Sequence, residues 1–481
     1  MSLTSTRTDL STRRGLGLAL LLAVALTGCA VQRAEMAKAR HEGPGTDEGK
    51  KPSTGQSYID QTTVELAPVP AAAAGWDIER VASGQDDWEP AVAADPMNPN
   101  FIYQLITRYT GPKPCGTCKL PAIVLRRSTD GGATWQPDQF LALTSKGQYD
   151  PQIEVSNNGN VYAVWLDAFT PGSTFTKSTN HGVTWSTGIS FSGKGKKPQW
   201  NDKPWLIVSR DGLHVYLGFN SSDSYVVASH DGGNTWGTPV KTNSDSRYWF
   251  HTGGGVHPTN SNIAYFSCSN FANGTNYTGD ANIAVLKTTN GGVSWTTTTV
   301  DTSREAPLCP WSPGCGAGYL ASSTAMAIDS AGKLMIAYPA NTSPGAPEQM
   351  WVRTSTDGVA WSARQQISVA STSVNNSFPA VAAHPSVAND FRVAWQDDRI
   401  LSQNGWNTWY KRTTNGGTSW SADIRLSDQS TGAPYKSANG YLLPYGDYFE
   451  MAVDQNGLNH LIWGEGTSYS GPGGTWYTRG Q

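Results

Sequence analysis

The chain has 481 residues, too many for one simple core and enough for a large repeat domain. Charged residues make up 15% and the formal net charge is −3, which excludes the basic field that recruits nucleic acid. Glycine (51), tryptophan (19) and tyrosine (19) are abundant, a composition of short strands joined by tight turns rather than of helices.

The N-terminal segment reads as an address. Arg7, Arg13 and Arg14 precede the apolar run GLGLALLLAVALTGC, which is too short to span a bilayer as a stable helix. It ends in Leu26-Thr27-Gly28-Cys29, which resembles the bacterial lipoprotein signal. The resemblance implies that residues 1–28 are removed and that Cys29 is lipidated. The protein would then be exported and held at the cell envelope, outer membrane or cell surface by lipid alone, with an ordinary secretory signal as the alternative. Residues 29–74 are rich in Gly, Pro, Ala and charge and cannot bury a core, so they read as a flexible tether.

From Trp76 onward two patterns alternate. One is a strand, a tight turn and a second strand, as in EPAVAADPMNPNFIYQLI from Glu89 and DPQIEVSNNGNVYAVWLD from Asp150. Seven such hairpins occur. The other is a turn, first met as STDGGATW at Ser128 and repeated from Ser178, Ser229, Thr288, Ser355 and Thr413. The last unit ends after TWYTRG and lacks a fourth strand, whereas residues 76–83 match the short strand that comes after every other turn. These residues are expected to complete the C-terminal blade and close the ring, leaving no free sheet edge. Residues 75–481 therefore read as an all-β, seven-bladed β-propeller, with six blades as the alternative.

The turn pattern S/T-x-D/N-x-G-x-S/T-W resembles the Asp box of the sialidase-type (BNR-repeat) propellers, and the likeness covers essentially the whole folded chain. Asp stands at 130, 231 and 357 but Asn at 180, 290 and 415. Catalysis or metal binding would need the charge, whereas capping a turn needs only an acceptor. The box is therefore read as structural.

Strand alternation puts the starts of the inner strands on the face opposite the boxes, and in sialidase-like propellers that face carries the site. Candidate catalytic residues there are Glu89, Asp150, Asp202, Tyr248 and Asp447. Candidate substrate-binding residues are Arg108, Arg247, Arg399, His251 and Trp200. Acids, cations and aromatics on one rim suit a carbohydrate. The structural alternative is that an acid before proline only sets the register between blades. Three functions remain open. The family resemblance implies an exo-glycosidase with an arginine triad, a Tyr–Glu nucleophile and an Asp acid/base, although the first inner strand reads DWEPAV rather than Arg-Ile-Pro. The stretch RYWFH, Arg247 to His251, would suit a uronate polysaccharide lyase, with a cation for the carboxylate and Tyr or His to move the proton. The third function is a non-catalytic surface propeller for a glycan or protein. The expected partner is an extracellular glycan, polysaccharide or surface protein, with no nucleic acid and no cofactor or metal.

Five cysteines come after Cys29: Cys115, Cys118, Cys268, Cys309 and Cys315. In an exported chain they are expected to staple loops, Cys309 with Cys315 or either with Cys268, and one thiol is left over if the other four pair.

Overall fold

A computed structural model describes residues 72–83, 87–109, 111–168, 172–192, 201–221, 223–274, 279–307, 323–400, 407–427, 448–466 and 473–481. These form seven four-stranded antiparallel sheets, the blades of a seven-bladed β-propeller. The inner strands, in blade order, are Asp87–Ala94, Gln148–Val155, Asp202–Val208, Tyr248–Val256, Ala325–Ile328, Asn376–Ala383 and Glu450–Val453. Blade 7 takes its outermost strand from the other end of the chain. Arg80–Ser83 pairs antiparallel with Gly473–Gly480, and Trp76 bridges Gly480. The two ends of the domain are thus hydrogen-bonded to each other, which leaves the ring without an open seam.

The S/T-x-D/N-x-G-x-S/T-W box is built the same way with either acid or amide. In blade 1, Ser128 Oγ accepts from Gly132 N at 2.8 Å and Asp130 Oδ1 accepts from Thr134 N at 2.8 Å. Thr134 Oγ1 donates to Asp130 Oδ2. In blade 2, Asn180 Oδ1 likewise accepts from Thr184 N at 2.9 Å, but Asn180 Nδ2 donates to Thr184 Oγ1, also at 2.9 Å. Asn290 with Ser294 and Asn415 with Ser419 repeat this. A hydroxyl both donates and accepts, so the Ser or Thr of the box adapts to either residue. The Asp130 carboxyl is pulled down to about 2, chiefly by the Thr134 hydroxyl.

Each box also locks its blade to the one before it. Trp135 packs edge-on against Tyr477 of blade 7, and Trp236 against Phe175 of blade 2. Gly132 has φ +79°, and a Cβ there would overlap the Tyr477 hydroxyl. Glycine is thus required for both the left-handed backbone and the close approach. Cations of the preceding blade bind the box carbonyls: Arg127 reaches His181 O at 2.9 Å, Lys177 reaches Gly232 O at 2.7 Å and Lys333 reaches Gly416 O at 3.1 Å. Arg80, in the ring-closing strand, reaches Ala133 O at 2.9 Å.

Candidate functional site at the mouth of the central channel

The opposite face owes its geometry to a bulge that recurs at the start of the inner strands. Glu89, Asp150, Lys203 and Phe378 have φ of 52°, 50°, 44° and 50°, and each precedes a proline. The register jumps there, between Trp88 and Ala91, Tyr149 and Gln152, Asp202 and Trp205, and Ser377 and Ala380. Proline has no N–H, so the bulge leaves no orphaned donor at that residue. The strained left-handed residue breaks the strand alternation, and in blades 1 to 3 its side chain bonds toward a neighbouring blade.

The acids form a chain from blade to blade. Glu89 Oε2 accepts from Thr107 Oγ1 in its own blade and from Asp150 N in blade 2, both at 3.0 Å. Asp150 Oδ1 in turn receives Lys203 Nζ of blade 3 at 3.1 Å. Lys203 Nζ lies 5.4 Å from the ring centre of Tyr448, which precedes the inner strand of blade 7. The Tyr448 hydroxyl donates to Pro151 O at 2.9 Å, and its ring meets Trp205 edge-on at 6.3 Å. Groups from blades 1, 2, 3 and 7 therefore join in one network. All four of these side chains are buried or half-buried.

Tyr448 and Trp205 also line a central channel of about 300 Å³, walled by the inner strands of all seven blades. Three carboxylates, Glu154, Asp329 and Glu450, line it as well. Glu450 Oε2 accepts from Val92 N at 3.0 Å. Burial pushes the Glu154 carboxyl up to about 8 and Glu450 well above its ordinary value, the charge of Glu154 adding to the second shift. At the box end Arg210 crosses from blade 3 to donate to Pro385 O of blade 6 at 3.0 Å.

The other candidates are dispersed. Asp202 is buried, and its Oδ1 accepts from Lys203 N at 2.9 Å. Tyr248 is buried in an aromatic cluster with Phe250, and that burial raises its phenol. His251 is wholly buried, with Nε2 3.0 Å from Ser224 Oγ of blade 3, and burial lowers its imidazole to about 3. It faces the seam between blades 3 and 4 and stays neutral at ordinary pH. The three arginines lie in three blades. Arg108 holds Asp87 and Asp138 in blade 1, at 2.9 Å and 2.8 Å. Arg247 donates to Asn270 Oδ1 and to the carbonyls of Asn270 and Asp280 in blade 4. Arg399 pairs with Asp397 and Asp423 in blade 6 and stacks 3.7 Å over Trp409. Each guanidinium is thus engaged within its own blade. Cys29, Trp200, Asp447, Cys309 and Cys315 lie outside the described residues. Cys115 and Cys118 form a disulfide, and Cys268 is a buried free thiol within a strand, not in a loop.

Lys203, Trp205, Glu154, Glu450 and Arg210 are not among the residues that sequence reasoning singles out. Lys203 carries a signal: KP at 203–204 aligns with EP and DP in blades 1 and 2, so a cation stands where the neighbours have acids. Glu154 and Glu450 carry a weaker one, as acids near the end of one inner strand, QYDPQIEV, and at the start of another, EMAV.

No family model matches the chain. A xyloglucanase from a Paenibacillus species is 27% identical over 177 residues, covering 32% of this chain and 17% of the relative. The chain thus spans well under two thirds of that relative's length. Among solved structures, a Dyadobacter fermentans protein of unknown function aligns with a TM-score of 0.47 and 11% identity, over 86% of this chain and 99% of its own. An ulvan lyase aligns with a TM-score of 0.46 and 12% identity, over 84% of this chain and 95% of its own. The intramolecular trans-sialidase of Ruminococcus gnavus gives 0.41 and 11%, over 86% and 98%. At these identities the likeness reaches no further than fold.

Proposed function

We propose that the protein is an exported, lipid-anchored propeller that binds or acts on an extracellular glycan at the channel mouth opposite the Asp boxes. The observation that carries this reading is the network of Glu89, Asp150, Lys203 and Tyr448, which brings acids, a cation and an aromatic ring from four blades to one place. Sugar hydroxyls need such alternating donors and acceptors, and sugar faces need an aromatic platform. The partial sequence match to a xyloglucanase supports a glycan partner.

Non-catalytic binding is favoured over sialic-acid cleavage by two features of the site. Arg108, Arg247 and Arg399 are each held within a separate blade, so they offer no joint grip on a substrate carboxylate. Glu89 and Asp150 already bond across blade seams. The test is a panel of sialosides, uronate polymers and xyloglucan, scored for binding, for new reducing ends and for unsaturated product. Binding that Tyr448→Ala weakens about tenfold is expected; no binding and no turnover with any glycan would sink the reading. The anchor is tested separately: Cys29→Ser should move the protein from the membrane to the soluble fraction, and an unchanged distribution would refute lipidation.

A further inference from the structure

On the box face, the turn between the first two strands of blade 3 meets that blade's own Asp box. This places His214 beside His230, with their Nδ1 atoms 3.1 Å apart and their rings nearly edge to face at 68°. His230 is exposed and His214 half-buried. Tyr216 Oη lies 3.3 Å from His214 Nδ1 and donates its own proton to Ser261 O of blade 4 at 2.6 Å. It therefore turns only lone pairs toward the histidines.

Two imidazole nitrogens this close require something positive between them: one shared proton, or a cation in its place. Metal–nitrogen bonds of about 2.0–2.1 Å at a tetrahedral centre put two ligand nitrogens roughly 3.3 Å apart, close to the separation found here. Among the described residues no third His, Cys, Asp or Glu joins the pair. Water would have to fill the remaining positions, on the open side of His230.

We propose that His214 and His230 chelate a late first-row divalent ion, Zn²⁺, Ni²⁺ or Cu²⁺, through their two Nδ1 atoms. Imidazole donors select these ions over Mg²⁺ and Ca²⁺. Two protein ligands completed by water make a weaker site than the three or four protein ligands of an ordinary zinc centre. The ion would pin the blade 3 turn to its Asp box, next to the seam that Tyr216 already bridges to blade 4. The site lies on the face away from the channel mouth and does not depend on what binds there.

The experiment is calorimetric titration of the full chain, free of any histidine tag and stripped with chelator, with Zn²⁺, Ni²⁺ and Cu²⁺. One ion per chain should bind, with affinity at least tenfold weaker in His230→Ala and in His214→Phe but unchanged in His257→Ala. Because His230 is exposed, its variant should melt at the wild-type temperature without metal, and only wild type should gain stability when metal is added. Binding to wild type no tighter than to His230→Ala would overturn the proposal and leave a proton-sharing pair.

Discussion

The two faces of the ring are built on opposite principles. On the box face one solution recurs: a hydroxyl, an Asp or Asn acceptor and a left-handed glycine clip a hairpin, and the preceding blade packs an aromatic or aliphatic side chain against that glycine. At the channel mouth the backbone device also recurs, as a bulge before proline, yet the side chain it carries changes from Glu to Asp to Lys to Phe. Repetition of side chains marks scaffold, because every seam poses the same packing problem. Repetition of backbone with varied side chains marks a place where the fold presents chemistry.

This contrast is tested most severely at Gly132. Alanine there combines a disfavoured positive φ with overlap on Tyr477, and should cost about 3 kcal/mol in urea unfolding. A loss below about 1 kcal/mol would mean the blade 7–blade 1 seam is looser than described. Next comes the channel. Burial raises Glu154 from its ordinary 4.5 to about 8, so folding holds a proton there that the unfolded chain releases above pH 4.5. That contribution is complete below 4.5 and is lost as pH rises to 8. Glu154→Gln should therefore gain stability over wild type by roughly 2 kcal/mol at pH 8–9 but not at pH 4. A difference that does not vary with pH would refute the raised carboxyl.

Smaller effects separate the box from the mouth. Asp130→Ala removes the acceptor for Thr134 N and should cost about 1 kcal/mol, whereas Asp130→Asn should stay within about 0.5 kcal/mol, because blades 2, 4 and 6 already use the amide. Equal losses in thermal melts of the two variants would show that charge matters in the box. Tyr448→Phe deletes the hydrogen bond to Pro151 O and should cost less than about 1 kcal/mol. Under the proposed function its glycan affinity should hold, because the ring remains, whereas Tyr448→Ala should lower it about tenfold. The same ordering in stability and in binding would erase the distinction between the faces.

Much of this was legible along the chain. Six boxes and seven inner hairpins set the period, and Trp76 to Ser83 had the form of a missing strand. The Asn variants marked the box as a clip, because an amide can accept from backbone but cannot carry charge. The candidate site was harder to read. Glu89 and Asp150 stood out as acids before proline, but nothing in EP or DP indicates that the bulge turns each toward the next blade. RYWFH looked like a compact catalytic set, yet a strand alternates and twists, so Arg247 bonds back to its own blade while His251 is buried against Ser224.

The propeller is written in the chain because hairpin turns and strand periodicity are local, and each blade restates them. Which charged groups meet is settled only when the ring closes. Lys203 with Asp150 and Tyr448 with Pro151 are separated by 53 and 297 residues, and Arg210 reaches Pro385 across 175. Such contacts depend on ring closure and on the bulges, and neither leaves a periodic trace in the chain.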